Sequence, residues 1–105
     1  MTPEGISELI SRVALRDRSA FDKLYTSTSA KLFGVCLRIL GNRSEAEDAL
    51  QDIFVKIWNK ADRFAVADTS PISWLVAIAR NHSIDVLRAR KPATAELEKA
   101  VGLAE

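Results

Sequence analysis

The sequence predicts an all-α fold, a compact bundle of about four helices, and three observations predict it. The 105 residues include only 4 glycines and 3 prolines, too few for the tight turns of an all-β chain. Leu, Ala, Ile, Arg, Lys, Glu and Asp dominate, a composition that favours helix. Apolar residues recur at intervals of three and four in successive segments, and no segment reads as a strand. The length suits one small domain, and with 48% hydrophobic residues it can bury a compact though modest core.

The first segment, TPEGISELISRVALRD, places Ile6, Leu9, Ile10, Val13 and Ala14 on one helical stripe. Thr2 stands where a cap is needed, Pro3 suits a first turn and Glu4 complements the helix dipole. The second, SAFDKLYTSTSAKLFGVCLRILGN, carries Phe21, Leu24, Tyr25, Leu32, Val35, Cys36, Ile39 and Leu40. Ser19 with Asp22 reads as its N-terminal signal, TSTS as a weak middle and Gly41-Asn42 as its stop.

The third segment, SEAEDALQDIFVKIWNKADRF, opens on a Ser44–Glu47 capping box. Ala46, Ala49, Leu50, Ile53, Phe54, Ile57 and Trp58 share one face; Asp48, Gln51, Asp52 and Val55 fall on the opposite one. A loop follows, roughly Asp62 to Ser70, whose aromatic residue is Phe64. The fourth helix starts at Ser70-Pro71, a cap followed by proline at the first position. Its core stripe is Ile72, Leu75, Val76, Ala79, Val86 and Leu87, and Pro92 is expected to end it. The tail ATAELEKAVGLAE is weakly amphipathic, a linker or a short final helix.

The formal net charge is only +1, but its distribution is uneven. Glu45, Glu47, Asp48 and Asp52 follow one another without a base, whereas Arg80, Arg88, Arg90 and Lys91 face the single acid Asp85. Such asymmetry points to two partner surfaces, with ordinary solvated faces as the alternative. Cys36 is the one cysteine, which excludes an intrachain disulfide, and it reads as a small buried hydrophobe. One cysteine with one histidine argues against a metal site, and no cofactor is implied. His82, between Asn81 and Ser83, is expected at the surface or toward DNA.

There is no HExxH, glycine-rich phosphate loop or GxSxG, so the chain does not read as an enzyme. The apolar stretches are short and carry charges, so no membrane insertion is expected and a reducing, cytoplasmic setting fits. Binding is the better class. Arg80, Arg88, Arg90 and Lys91 suit phosphates, and Asn81 suits a base edge. Trp74 and Phe64, beside the loop, suit unstacked bases or the core, while Trp58 reads as core.

Three stretches together, FDKLYTSTSAKLFGVCLRILGN, SEAEDALQDIFVKIWNKADRF and SPISWLVAIARNHSIDVLRARK, resemble the second conserved region of bacterial extracytoplasmic-function (ECF) sigma factors. The resemblance covers about Ser7 to Lys91; each piece is weak, but their order and spacing are specific. It implies binding to the clamp helices of the RNA polymerase β′ subunit, and recognition of the promoter −10 element on the non-template strand as DNA opens. The polymerase contacts carry over to Asp48, Gln51 and Asp52, with Val55 nearby, and the DNA contacts to Asn81, Asp85 and Arg88, with Arg80 and Trp74 adjacent. The 62–70 loop would pocket a flipped base, with Phe64 and Ala65 as walls, while Arg90 and Lys91 would hold phosphates.

The resemblance also implies a region 2 domain over residues 1–92, then the start of an interdomain linker over 93–105. Such factors carry a further C-terminal helix-turn-helix domain, region 4, which this sequence lacks; the chain therefore reads as a piece of a longer factor, with weak promoter selectivity by itself. An anti-sigma factor is a further expected partner, and a monomer is expected when free. The competing readings are a sigma-like interaction module that captures an anti-sigma factor, and a helix-turn-helix repressor. The repressor fits worse, because a long loop separates helices three and four.

Overall fold

The computed structural model describes residues 3–65, 67 and 69–104, with side chains described over 5–65, 67 and 69–90. Four helices follow in order: α1 (Pro3–Ala14), α2 (Arg18–Leu40), α3 (Arg43–Phe64) and α4 (Pro71–Ala104). Each packs against the other three. The expected stripes meet in one core, in which Ile10, Val13, Leu24, Leu32, Cys36, Ile53, Ile57, Leu75 and Ala79 are fully buried. Burying such side chains is the main favourable term in folding, at roughly 1.5–3 kcal/mol for a residue of leucine or isoleucine size. Tyr25 departs from its expected place and is exposed.

The helix ends differ from the sequence reading in instructive ways. The cap of α2 is Asp17, not Ser19: its Oδ1 accepts from the Ala20 N–H at 3.2 Å. Its Oδ2 pairs with Arg12 at 2.8 Å. The Ala20 N–H first, and then Arg12, hold the Asp17 carboxyl below its ordinary range. The choice of cap follows from how α1 ends. Arg16 takes the left-handed conformation at φ 65°, its N–H donates to the Val13 carbonyl at 2.8 Å, and the Asp17 N–H donates to Arg12 at 3.0 Å. That Schellman closure turns the chain so that Asp17 is already the first extended residue. A non-glycine residue costs about 1 kcal/mol there. The Arg16 guanidinium offsets this by donating to the Trp58 carbonyl and lying 5.2 Å from the centre of its indole ring.

The cap of α3 is Asn42, not Ser44; its side chain accepts from the Glu45 N–H at 2.9 Å. Gly41 closes α2 at φ 67°, where glycine carries no Cβ penalty, and leaves only Asn42 before the next helix. The TSTS stretch does not interrupt α2, which runs through it. Thr26, Ser27 and Thr28 each donate a hydroxyl to the carbonyl four residues earlier, at 3.0, 2.8 and 2.7 Å. The loop is shorter than expected, because α3 continues to Phe64 and the connection to α4 spans 65–70. Ser70 caps α4 as expected, accepting from the Ser73 N–H at 3.3 Å. Pro92 does not end α4. A proline removes one backbone donor, while the alanines, leucines, glutamates and lysine that follow are strong helix formers.

One core polar group is left over. Ser83 on α4 is fully buried and its hydroxyl has no nitrogen or oxygen partner among the described residues. It lies beside Cys36, whose thiol pKa is raised by burial and lowered less by hydrogen bonding with Ser83; sulfur is too weak a partner to satisfy the hydroxyl. An unsatisfied hydroxyl costs on the order of 1 kcal/mol or more, and alanine is the better helix former. Ser83→Ala is therefore expected to raise stability by about 1 kcal/mol, read from the urea midpoint. A loss of stability would show that the hydroxyl has a partner, such as an ordered water.

Candidate functional site

The site is built on α3 and α4. Asp48, Gln51, Asp52 and Val55 stand at i, i+3, i+4 and i+7, so they share one face of α3, and all four are exposed. Val55 is 58% exposed although apolar. The nearby acids are not equivalent. Glu45 pairs with Arg90 at 2.7 Å and Glu47 with Arg43 at 3.2 Å. Asp48 makes no ion pair among the described residues, and the Asp52 side chain is 66% exposed. Hence Glu45 and Glu47 are balanced within the chain, whereas Asp48 and Asp52 present charge outward around an apolar residue.

Sequence reasoning missed the neighbouring surface of α2. Tyr25, Ser29, Phe33 and Leu37 recur every four residues along one face. Tyr25 and Leu37 are exposed, and Phe33 is half-buried under the Arg43 guanidinium, 5.9 Å from its ring centre. An open cleft of about 250 Å³ runs between this face and α3, lined by Tyr25, Phe33, Arg43, Glu47 and Leu50 among others. A signal was present: Phe33 and Leu37, four apart, both lie off the core stripe assigned to α2.

On α4, Trp74, Asn81, Asp85 and Arg88 stand at i, i+7, i+11 and i+14, which aligns them along one side of the helix over about 21 Å. Asn81, Asp85 and Arg88 are exposed, as is Arg80 on the adjoining side. Trp74 is half-buried and meets Phe64 edge-on, with ring centres 5.5 Å apart. Phe64 is the last residue of α3 rather than a loop residue, is packed against the core, and is followed by exposed Ala65. Trp58 meets Phe21 edge-on at 5.3 Å, in keeping with a core role. Arg90 reaches back to Glu45, tying α4 to α3. The side chain of Lys91 lies outside the described residues.

His82 is not a surface residue. Its side chain is 12% exposed, turned toward α3, with Nε2 3.5 Å from Asp52 Oδ2. Burial pushes its pKa down and Lys56 adds to that, while Asp52 and Asp85 oppose it. No group of His, Cys, Asp and Glu among the described residues could hold a metal ion. No helix among them is long and apolar enough to cross a membrane.

An outward acidic and apolar face on one helix thus adjoins a base-carrying polar line on the next, across a seam held by Glu45–Arg90. The family model for sigma-70 region 2 matches residues 24–92, spanning α2 from Leu24 onward, α3, the connecting loop and α4 as far as Pro92. The chain belongs to the sigma-70 region 2 family. Both candidate faces lie inside the region 2 match, while α1 lies outside it yet contributes Ile10 and Val13 to the same core.

Two similar proteins are named ECF RNA polymerase sigma factor SigK. That of Mycobacterium tuberculosis (strain ATCC 25618 / H37Rv) is 30% identical over 83 residues, covering 79% of this chain and 44% of the relative. That of Mycobacterium sp. (strain KMS) is 31% identical over 86 residues, covering 82% and 45%. The region 2 chain therefore spans less than half the length of these curated relatives.

Proposed function

We propose that this chain serves in transcription initiation as the region 2 domain of an ECF sigma factor. It docks on the β′ clamp helices of RNA polymerase core through Asp48, Gln51, Asp52 and Val55. It then recognises and helps melt the −10 element through α4 and the 65–70 connection. The observation that carries this reading is the adjacency of the two faces on packed helices: a polymerase held by α3 delivers opened DNA to α4 beside it. Residues 1–92 form the domain in this reading, and 93–105 lead toward a region 4 domain. The setting is cytoplasmic, and the role is binding rather than catalysis.

The chemistry of each face suits its partner. Two outward carboxylates around Val55 make a docking patch for a basic and apolar helix pair, and the Tyr25–Phe33 cleft extends it with a mixed aromatic and charged surface. On α4, Arg80 and Arg88 neutralise phosphates, Asn81 can pair with a base edge, and Asp85 can accept from an exocyclic amine such as cytosine N4. Phe64 and Ala65, with Trp74 behind them, form the wall against which a flipped base would rest. An anti-sigma factor would act by covering these same faces. The rival reading, a sigma-like decoy for such a factor, has no use for the Asn81–Asp85–Arg88 line.

Binding of a labelled non-template-strand −10 oligonucleotide tests the DNA half. Arg88→Ala should weaken binding on every sequence and lower the slope of log affinity against log salt by about 1. Asp85→Ala should change the preference among bases at one position by roughly tenfold, with the sequence-averaged affinity nearly constant. An equal loss on all sequences for Asp85→Ala would exclude a base contact.

A further inference from the structure

The seam between the two faces holds a histidine that neither face uses. His82 projects from α4 into α3, and both ring nitrogens are buried without a hydrogen-bond partner. The charged groups facing it are Asp52 and Lys56 from α3, and Asp85 one turn further along α4. Asp52 Oδ2 is 3.5 Å from Nε2, just beyond hydrogen-bond length, while most of the Asp52 side chain is in solvent on the docking face. The imidazole therefore sits directly behind a carboxylate whose charge the proposed partner would read.

The protonation state of the ring decides how much of that charge is left. An uncharged imidazole leaves Asp52 its full negative charge. A charged one, this close and partly shielded from water, forms an ion pair with it and cancels most of the outward field. Burial and Lys56 hold the ring uncharged at neutral pH by lowering its pKa.

We propose that His82 is a positioning residue for the docking face: uncharged, it leaves Asp52 available to a cation on the polymerase, and protonated, it draws Asp52 across the seam and weakens docking. This rests on the polymerase-binding reading above. It assigns a role to a buried polar side chain that packing alone would fill better with an apolar one. It also predicts that acid acts on docking through one carboxylate, Asp52, and not through Asp48, four residues away on the same face.

The test compares the full chain with His82→Gln and Asp52→Asn for binding to purified RNA polymerase core at pH values on both sides of the His82 pKa, which NMR titration of the free chain supplies. The folded chain resists protonating His82 more than the unfolded chain does. Stability therefore falls as pH drops below the unfolded value of 6.5, and helicity is recorded at each pH. The ratio of wild-type to His82→Gln affinity cancels titration of the polymerase itself. That ratio should fall by up to about fivefold as the pH drops through the His82 pKa measured in the free chain, the size expected for losing one interfacial charge contact. In the Asp52→Asn background, the same His82→Gln comparison should stay flat. A constant ratio in the wild-type background, or an equal fall in the Asp52→Asn background, overturns the proposal.

A second readout does not involve the polymerase. Titration of the His82 ring by NMR in the free chain should give a lower pKa in Asp52→Asn than in wild type, because Asp52 favours the charged ring. An unchanged value overturns the proposal even where core binding is intact. Failure of folded wild type to bind core at any pH overturns instead the docking reading on which it rests.

Discussion

Replacing Asp48, Gln51 and Asp52 together by alanine is expected to lower the affinity of this chain for RNA polymerase core on the order of 100-fold, with helicity unchanged. All three side chains are exposed on one face of α3, and none belongs to the core. Alanine at these positions keeps or improves helix propensity, so the fold is not at stake. Binding is at stake because Asp48 makes no ion pair among the described residues, Asp52 meets only the uncharged His82, and central charged contacts are the ones whose truncation costs about 2 kcal/mol or more. Glu8→Ala removes an exposed acid from α1, away from this face, and should change core affinity less than twofold. Equilibrium binding to core at fixed salt checks both variants, since screening alters surface electrostatics. Full binding by the triple variant would remove this face of α3 from the interface, whereas no binding by the folded wild type would favour the decoy reading.

The second large effect is on stability. Ile53→Ala is expected to cost about 3–4 kcal/mol, because Ile53 is fully buried where α3 meets the rest of the core and its truncation leaves a cavity. A domain of this size has roughly 5–15 kcal/mol in total, so the urea midpoint should drop by a large fraction of its value. Ile53→Val should cost only about 1 kcal/mol. Val55→Ala, two residues along the same helix but mostly exposed, should change stability by less than about 0.5 kcal/mol. That substitution should instead weaken docking. The buried and outward faces of α3 are thus separated by helical phase. A cost below about 1 kcal/mol for Ile53→Ala would mean that the core closes over the lost volume.

Much of this was legible in the sequence, and the reason is periodicity. The spacing of Ile6, Leu9, Ile10 and Val13, of Leu32, Cys36 and Leu40, and of Ile53, Phe54 and Ile57 records which face each helix buries, and the structure buries them all. The same period placed Asp48, Gln51, Asp52 and Val55 outward, where they are. Helix ends were less legible because local signals compete. Ser19 and Ser44 carry capping patterns, yet Asp17 and Asn42 cap, since the closure of the preceding helix decides where the next one begins.

The sequence by itself determined four helices, most of the residues at their core and the outward face of α3, because each follows from the 3.6-residue repeat of one helix. Only the tertiary structure decided what depends on the register between helices. Arg16 holds a left-handed turn against Trp58, 42 residues away, where no glycine marks the position. Arg90 reaches Glu45 across 45 residues. Tyr25, expected in the core, lines an open cleft instead, because α3 covers only one side of it. His82, expected at the surface, lies behind Asp52 because α4 crosses α3 at that point. A one-dimensional repeat specifies which way a side chain points from its own helix; what it meets there is set by where the neighbouring helix lies.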